Sequence, residues 1–356
     1  MTAPEGGASG TRARKRDHLR LALEADVGFA TLTTGLDALR VRARALPERD
    51  LDAVDLAVEP LGHQLAAPLL ISCMTGGVGE AGPVNRALAV AAQTHGVAFG
   101  LGSGRALLED PDAAASFRVR DVAPDVLLLA NLGAVQLAEH GLRGCARLVE
   151  VCEADALVLH LNPVQEAVQA VAALGRAAGG DTAFAGLAAR IAQVCAALPV
   201  PVMVKEVGFG LAPEDVRLLV EAGVAAVDVA GAGGTNWARL EGERDARGAE
   251  VAAAFADWGW PTVDAVRGAR EVLDAAGPDV LLVGSGGLRH GVDALKVLCL
   301  GADLAGVARG LLAAGAAGPD AAVAAVGTLV DQLRVAAWAA GAASVADLGP
   351  HLLQRA

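Results

Sequence analysis

The stretches VLLVGSGGLR (residues 280–289) and LAGVAR (residues 304–309) are short apolar runs that end in glycine and polar residues. Buried strands of a parallel sheet have this character, and the alanine-rich segments between the runs have helical spacing. A doubly wound sheet would concentrate glycine at one switch point, whereas here nearly every run ends in such residues. The pattern therefore predicts an α/β fold, a (β/α)8 TIM barrel with its site at the strand ends. The eight runs are 69–74, 98–103, 126–132, 156–162, 201–207, 226–231, 280–287 and 304–309.

The chain of 356 residues has room for one barrel with additions at both ends. We expect the barrel to occupy residues 61–345. Residues 1–60 predict an N-terminal extension that packs on the barrel, with its first residues disordered, and residues 346–356 predict a C-terminal tail. The segment 163–198 is longer than one crossover requires.

A net charge of −12 argues against a nucleic-acid partner, because phosphate backbones are held by clustered lysine and arginine. Glycine, proline or charged residues interrupt every apolar run before it reaches the length of a membrane span. The basic N-terminus precedes no apolar core of a secretory signal, so we expect a cytoplasmic protein with a small-molecule ligand and no membrane. Scattered cysteines without paired metal-ligand spacing predict reduced core thiols at Cys73, Cys145, Cys152, Cys195 and Cys299.

Glycine-rich turns end the last two runs, Ser285–Arg289 after the seventh and Gly306–Arg309 after the eighth. Barrels commonly bind phosphate on backbone N–H groups at these two positions, and glycine lets the backbone approach an anion closely. The alternative is that the glycines serve only tight turns. Two such turns on adjacent final strands favour a phosphate site.

Lys205 closes the fifth run, PVMVKEV. A lysine at the end of an apolar strand faces a cavity of low dielectric constant unless an anion or an electron-rich ligand meets it. The alternative is a salt bridge with Glu206 or another carboxylate. Because neighbouring strand residues point in opposite directions, we expect Glu206 to face the helices.

The fourth run ends in HLNPVQE (residues 160–166), which collects an imidazole, two amides and a carboxylate. A carboxylate here could hold Mg²⁺, which takes one or two protein oxygens and completes its shell with water and substrate phosphate. Taken singly, His160 could be a core histidine and Asn162 a turn former before Pro163.

The sixth run continues as DVAGAGGTNW (residues 228–237), a glycine loop that could close over a ligand. Thr235 is a candidate hydrogen-bond donor to phosphate or ligand. Glu241 is a candidate for proton transfer, although a charge run such as ARLEGER is usually a solvated face.

In order and spacing, seven short motifs resemble those of the type 2 isopentenyl diphosphate isomerases. The resemblance runs from residue 14 to about residue 340, and the Asn-x-x-Gln-Glu and MTGG motifs are its most specific parts. The motifs are RKRDH (14–18), MTGG (74–77), GSGR (102–105), HLNPVQE (160–166), KEVGFG (205–210), GGT (233–235) and SGGLR (285–289).

The resemblance implies interconversion of isopentenyl and dimethylallyl diphosphate on reduced FMN with Mg²⁺, where NADPH serves only to reduce the flavin. It also implies a homo-oligomer, a tetramer or octamer. Residues implied to contact FMN are Cys73, Met74, Thr75, Ser103, Asn131, Lys205, Thr235, Gly287, Leu288, Arg289, Ala308 and Arg309. Residues implied to contact substrate are Arg14, Lys15, Ser103, Gly104, Arg105 and Gln165, with Glu166 on the metal. The implied catalytic set is His160, Asn162, Gln165 and Glu241.

This sequence departs from the family at two positions, with Gly104 where glutamine is usual and Ala230 where serine is usual. Each change removes a side-chain hydrogen bond, and a backbone N–H could replace the one at Gly104. Arg14 and Lys15 have an alternative, since TRARKRDHLR (residues 11–20) could be a disordered basic tail. The Asp-His pair that follows favours an ordered segment.

Two rival functions share the barrel and the phosphate turns. An FMN oxidoreductase of the α-hydroxyacid oxidase type would use a strand-end histidine with a neighbouring arginine, and one of the IMP dehydrogenase type a loop cysteine. Only Cys73 lies at a strand end here. A non-catalytic flavoprotein would have no use for Glu166 or Arg105.

Overall fold

The structure is a computed structural model of the chain, and it describes residues 8–77, 79–174, 181–244, 246–277 and 280–356. Within these ranges, the side chains of residues 8–14 and 172–174 are not described. The predicted disorder of the first residues therefore concerns positions outside the described residues.

Eight parallel strands close a barrel in sequence order, which confirms the predicted TIM barrel. Each strand pairs in parallel with the next, and the last closes on the first, with Leu69 opposite Ala305. Every strand lies within or overlaps one of the eight apolar runs. The barrel strands are β2 (Leu69–Ile71), β3 (Ala98–Gly100), β4 (Leu128–Gly133), β5 (Ala156–Leu161), β6 (Val202–Glu206), β7 (Ala226–Asp228), β8 (Leu281–Ser285) and β9 (Leu304–Val307).

Helices follow the strands and cover the outside of the barrel. The long segment after β5 holds two helices, α5 and α6, which explains why it exceeds the length of one crossover. The helices are α1 (Ala8–Glu24), α2 (Ala81–His95), α3 (Arg105–Glu109), α4 (Leu137–Cys152), α5 (Pro163–Leu174), α6 (Leu187–Ala197), α7 (Pro213–Glu221), α8 (Trp237–Gly242), α9 (Ala246–Ala253), α10 (Thr262–Ala276), α11 (Gly291–Cys299), α12 (Arg309–Ala317) and α13 (Pro319–Ala340).

The two ends of the chain meet on the barrel. Strand β1 (Leu39–Val41) pairs antiparallel with β10 (Leu353–Arg355). Helix α1 packs against α3, α8 and α12 at the C-terminal end of the barrel. The basic segment around Lys15 is therefore part of a packed helix and not a free tail, whereas the exact division of the chain at residues 60 and 345 stays a prediction.

The inside of the barrel changes from apolar to polar along the strands. An apolar floor contains Leu70, Leu129, Val158, Met203, Ala226 and Val283, which form one buried cluster. Because side chains two residues apart on a strand point to the same side, the residue two positions further along each of these strands also faces inward. These residues are all polar, and we call them the polar ring: Ser72, Asn131, His160, Lys205, Asp228 and Ser285.

The prediction of buried core thiols holds for three of the five cysteines, and Cys73 lines the cavity instead. All five are free thiols, with Cys145, Cys152 and Cys299 buried and the other two half-buried. Burial raises the pKa of Cys145 and Cys152 to about 12, so these thiols stay protonated at neutral pH.

Helix α13, with 22 residues, is the one helix in the described part of the chain that could cross a membrane by length and composition. Gly327, Asp331 and Arg334 interrupt its apolar sequence, as predicted for every such stretch. It packs along α2, α11 and α12, where Val326 and Leu333 are buried. Its apolar residues thus contribute to the outer wall of the barrel.

Candidate active site

A cavity of about 660 Å³ opens at the C-terminal ends of the barrel strands, beneath α1. It collects nearly all the residues predicted from the sequence, although these come from every part of the chain. The predicted residues that line it are Lys15, Cys73, Met74, Thr75, Ser103, Arg105, Asn131, His160, Asn162, Gln165, Glu166, Lys205, Thr235, Gly287, Leu288, Arg289, Ala308 and Arg309. Gly104 and Glu241 lie outside the lining, and the side chain of Arg14 lies outside the described residues.

The two glycine turns form one end of the cavity. Gly286 and Gly287 have φ angles of 109° and 68°, which glycine adopts readily. A Cβ at Gly286 would overlap the backbone of Gly231 in the loop after β7, so no side chain fits between this turn and that loop. Helix α12 begins beside them at Arg309, and its first N–H groups are available to an anion at the helix N-terminus.

Two arginines at this end are already engaged with protein groups. Arg309 donates from Nε to the carbonyl of Ala22 at 2.8 Å and from Nη2 to that of Ala25 at 2.7 Å. Arg289 binds Asp293 at 3.1 Å and Asp37 at 2.7 Å, and half of its side chain is exposed. Arg309 therefore ties α1 to the phosphate end, and Arg289 frames that end from outside.

The glycine loop after β7 is packed in place. A Cβ at Gly233 would overlap the backbone of Thr34, and one at Gly234 would lie 2.6 Å from the N atom of Gly287. Its glycines let the loop fit between Thr34 and Gly287 in this structure, and closure of the loop over a ligand stays a prediction. Thr235 at its end lines the cavity as predicted.

Lys205 reaches the floor of the cavity and is only 7% exposed. Its Nζ donates to the backbone carbonyl of Glu206 at 2.6 Å, so the alternative of a side-chain salt bridge between the two residues is not formed. The Glu206 carboxylate instead accepts N–H groups from residues 207–210, at 2.5 to 3.2 Å. Glu206 thus shapes the turn after β6, while burial raises its pKa to about 7 against those hydrogen bonds.

His160 is a neutral imidazole. Its burial, Lys205 and Lys15 together lower its pKa to about 3. Its Nδ1 lies 2.8 Å from Oδ1 of Asn131, and a neutral ring can donate that hydrogen bond from Nδ1. The geometry suits a group that orients a ligand rather than one that gives up a proton at neutral pH.

A buried chain of hydrogen bonds fixes the side chains after β5. Asn162 donates from Nδ2 to Oε1 of Gln165 at 3.1 Å and to Oε1 of Glu166 at 2.9 Å. Gln165 donates from Nε2 to Oε1 of Glu241 at 2.9 Å. Because a carboxylate only accepts, Glu241 determines which end of the Gln165 amide is its oxygen.

Glu241 has a different place from the one predicted. It is 1% exposed and lies behind Gln165, where His18 at 2.8 Å and Arg244 at 3.1 Å also contact it. Burial opposes its ionisation, but His18, Gln165 and Arg244 outweigh burial and hold the pKa of Glu241 at about 2. A carboxylate that is saturated with donors and outside the cavity positions Gln165 and is a poor proton carrier.

The candidate diphosphate residues form the opposite rim. Lys15 donates to the carbonyls of Gly76 at 2.9 Å and Ser103 at 2.7 Å. Arg105 binds Glu109 at 2.6 Å and Asp181 at 3.2 Å, with much of its side chain buried. Both cations are therefore held at the cavity by neighbouring oxygens.

Gly104 does not have the predicted role. Its N–H donates to the carbonyl of Asn131 at 2.7 Å, so this N–H cannot replace a lost side-chain contact. A Cβ at this position would lie 2.5 Å from Cδ2 of Leu148. Glycine here allows the start of α3 to pack against α4 instead of presenting a group to the cavity.

Several lining residues were missed by the sequence reasoning. His18, Leu19 and Ala22 follow Lys15 at intervals of one helical face, a signal that was present in the sequence. Ser72 and Ser285 lie two residues beyond floor residues and could have been found by strand alternation.

Comparison with known proteins shows which family the chain belongs to. A model of the FMN-dependent dehydrogenase family matches residues 142–355. The isopentenyl-diphosphate delta-isomerase of Xanthobacter autotrophicus is 49% identical over 340 residues, which cover 95% of this chain and 96% of that one. That of a Nostoc species is 47% identical, over 85% of this chain and 84% of its own.

Solved structures show the same fold. The flavin-binding domain of baker's yeast flavocytochrome b2 aligns with a TM-score of 0.69 and 20% identity, over 95% of this chain and 82% of that one. A mandelate oxidase variant aligns with a TM-score of 0.64 and 21% identity, over 96% and 99%. The barrel fold, the match to the FMN-dependent dehydrogenase family and the similarity to the named isomerases agree. The chain belongs to the isopentenyl-diphosphate delta-isomerases, an enzyme family built on the fold of the FMN-dependent dehydrogenases.

Proposed function

We propose that the protein interconverts isopentenyl diphosphate and dimethylallyl diphosphate by proton transfer, with FMN at the barrel mouth and with Mg²⁺ and NADPH as further requirements. One observation carries the proposal: the phosphate turns, the cations Lys15 and Arg105, and the Gln165–Glu166 pair all line one cavity. A redox flavoenzyme needs the phosphate turns, but it needs neither the two cations nor the Gln165–Glu166 pair.

The cavity fits FMN. A Cβ at Gly286 or Gly287 would overlap neighbouring protein atoms, so this turn presents bare backbone to the cavity, and α12 begins beside it; the phosphate would bind on backbone N–H groups there. Lys205 and Asn131 would face the ring from the cavity floor. When bound and reduced, FMN would supply a group that takes up and releases a proton.

Glu166 suits Mg²⁺. It lines the cavity, and Asn162 orients its Oε1 by donating a hydrogen bond at 2.9 Å. No cluster of three metal-ligating side chains occurs among the described residues. A single carboxylate matches Mg²⁺, which keeps several waters and binds substrate phosphate. Its charge would help to neutralise the diphosphate.

The remaining residues would hold and orient the substrate. Lys15 and Arg105 would donate charge-assisted hydrogen bonds to the diphosphate. Gln165, locked between Asn162 and Glu241, would present a fixed amide to the reacting carbons. Neutral His160 would orient the substrate without changing its charge state near pH 7. The catalytic set therefore acts mainly through position.

The second candidate is oxidation of an α-hydroxyacid, because flavocytochrome b2 and mandelate oxidase share the fold. These likenesses are at or near 20% identity and concern the fold alone. The strand-end His160 bonds Asn131, and no arginine is hydrogen-bonded to it among the described residues. We therefore favour the isomerase.

The direct test is an anaerobic assay of the purified full-length protein with FMN, NADPH, Mg²⁺ and isopentenyl diphosphate. We expect the allylic isomer to accumulate far beyond the NADPH consumed. Absence of turnover by flavin-loaded protein would refute the proposal. Size measurement of the same preparation would test the predicted tetramer or octamer, and the cytoplasmic location stays a prediction.

The metal assignment has its own test. Glu166→Gln removes the carboxylate charge and should raise the Mg²⁺ concentration needed for half-maximal activity at least tenfold, while FMN stays bound. Glu243→Gln is the control, because Glu243 is exposed and lies outside the cavity lining. Loss of flavin from the Glu166 variant would show that the residue has been misplaced.

A further inference from the structure

Asp228 is a buried carboxylate that belongs to neither the proposed catalytic set nor the proposed binding set. It is the last residue of β7 and is fully buried in the polar ring. In the parallel register of β6 and β7 it stands directly opposite Lys205, so both side chains point into the barrel. A charged side chain is rarely buried in a barrel interior without a partner or a task.

The contacts of Asp228 use one of its two oxygens. Oδ1 accepts the hydroxyl of Ser285 at 2.5 Å and the N–H of Ala230 at 3.2 Å. Ala230 lines the cavity with a φ of 39°, so this second bond holds a strained turn. Oδ2 is buried and has no hydrogen-bond partner in the described part of the chain.

The cavity floor next to Asp228 is tightly packed. A Cβ at Gly306 would lie 2.7 Å from Cβ of Ser285 and 2.7 Å from Oγ of Ser72. All three of these residues line the cavity, and the Ser72 hydroxyl is also buried without a partner among described residues. Asp228 itself lies outside the lining, but the two residues that bond its Oδ1, Ser285 and Ala230, belong to it, so Asp228 stands directly behind the cavity wall.

The charge balance of the polar ring is simple. Its ionisable members are Lys205, Asp228 and His160, and His160 is neutral at pH 7. Burial raises the pKa of Asp228, and the nearby Lys205 opposes that rise. Lys205 has no side-chain carboxylate bonded to it among the described residues, since its hydrogen bond goes to a carbonyl.

We propose that Asp228 is the buried counter-ion of Lys205 and, acting through Lys205, a positioning residue that sets the charge beneath the flavin ring. This inference rests on the proposed binding of FMN. Reduced flavin carries a negative charge that Lys205 would stabilise, and a carboxylate next to Lys205 weakens that stabilisation. Asp228 would thereby keep reduced FMN from being held too stably, acting through space, because the hydrogen bond of Lys205 Nζ goes to the Glu206 carbonyl.

The test is the reduction potential of FMN in full-length protein that carries Asp228→Asn. Asparagine keeps the acceptor for Ser285 and Ala230 but removes the charge. We expect the equilibrium to shift toward reduced FMN at least tenfold, which for a two-electron couple is about 30 mV upward. Ser285→Ala is the matched control, because it removes a hydrogen bond of Asp228 and leaves the charge.

A double-mutant cycle covers the case in which Asp228→Asn alone does not fold. Lys205→Met should lower the potential, and the Lys205→Met/Asp228→Asn protein, which has lost both charges, should return at least half of that change. The inference is overturned if the equilibrium constant for FMN reduction in Asp228→Asn lies within twofold of that in Ser285→Ala. It is also overturned if the reduction potential of the double variant is no closer to the wild-type potential than that of Lys205→Met. Failure of wild-type protein to bind FMN would instead refute the proposed function.

Discussion

Replacing Glu241 by glutamine should weaken both the fold and the reaction, because this carboxylate joins α1, α5 and α8 through one buried charge. Glutamine has the same size but cannot balance His18 and Arg244. The difference between the ordinary pKa of 4.5 and the value of about 2 corresponds to about 3 kcal/mol of folding free energy. This is of the order found when one partner of a buried ion pair is removed.

The sign of the pH dependence follows from the direction of the shift. The folded pKa of Glu241 is below its unfolded value, so its contribution is present above pH 4.5 and is lost as the pH falls toward 2. Urea unfolding of the protein without ligands should show the variant about 3 kcal/mol less stable at pH 7. The difference should shrink at pH values below 4.5.

The same substitution should lower kcat. Gln165 loses a charge-assisted acceptor worth about 1.5–3 kcal/mol, which is roughly ten- to hundredfold in rate if the amide orientation matters in the transition state. Glu243→Gln, an exposed neighbour on the same turn, is the control for both assays. A Glu241 variant with the stability and kcat of this control would refute the reasoning.

Three further predictions follow from the cavity. Gly286 has a φ of 109° and no room for a Cβ, so Gly286→Ala should lose FMN, as measured by flavin retention. It should also lower the free energy of unfolding, measured with urea, by at least about 2 kcal/mol more than Gly318→Ala, which has a φ of 117° and lies in open space. The folded pKa of His160, about 3, lies below the ordinary 6.5, so folded protein resists protonation of this residue and the free energy of unfolding should fall by about 2 kcal/mol between pH 7 and 5. His160→Asn should abolish this fall, and an unchanged pH profile of stability would contradict the prediction. Arg105→Gln should raise the KM for isopentenyl diphosphate ten- to hundredfold with FMN affinity unchanged, whereas the exposed Arg147→Gln should change neither.

The barrel was predictable because each strand carries its own signal. A run such as VLLVGSGG is apolar where it is buried on both sides and polar where it meets the site, and observed β8 (Leu281–Ser285) lies inside the predicted run. Closure needs only eight repeats of this local pattern. The length of the segment after β5 indicated that it is more than one crossover, but length alone did not predict how many helices it contains.

The site was predictable where chemistry stands next to a strand end, as at His160–Glu166. It was not predictable where function depends on a partner far along the chain. Glu241 and Gln165 are 76 residues apart, and only the packing of α8 on α5 shows that the carboxylate lies behind the amide and not in the cavity. The predicted substrate contact of Gly104 did not hold for a similar reason, because Leu148, the side chain next to it, comes from another helix.

The N-terminal helix shows why an extension outside the barrel belongs to the site. Lys15, His18, Leu19 and Ala22 share one face of α1 and complete the cavity wall. The helix is held past its middle by His18 on Glu241 and at its C-terminal end by Arg309, which donates to the carbonyls of Ala22 and Ala25. Both anchors belong to the candidate site, one behind Gln165 and one at the phosphate turn. A change at either anchor should therefore reach the diphosphate rim through α1, even without a direct contact to substrate.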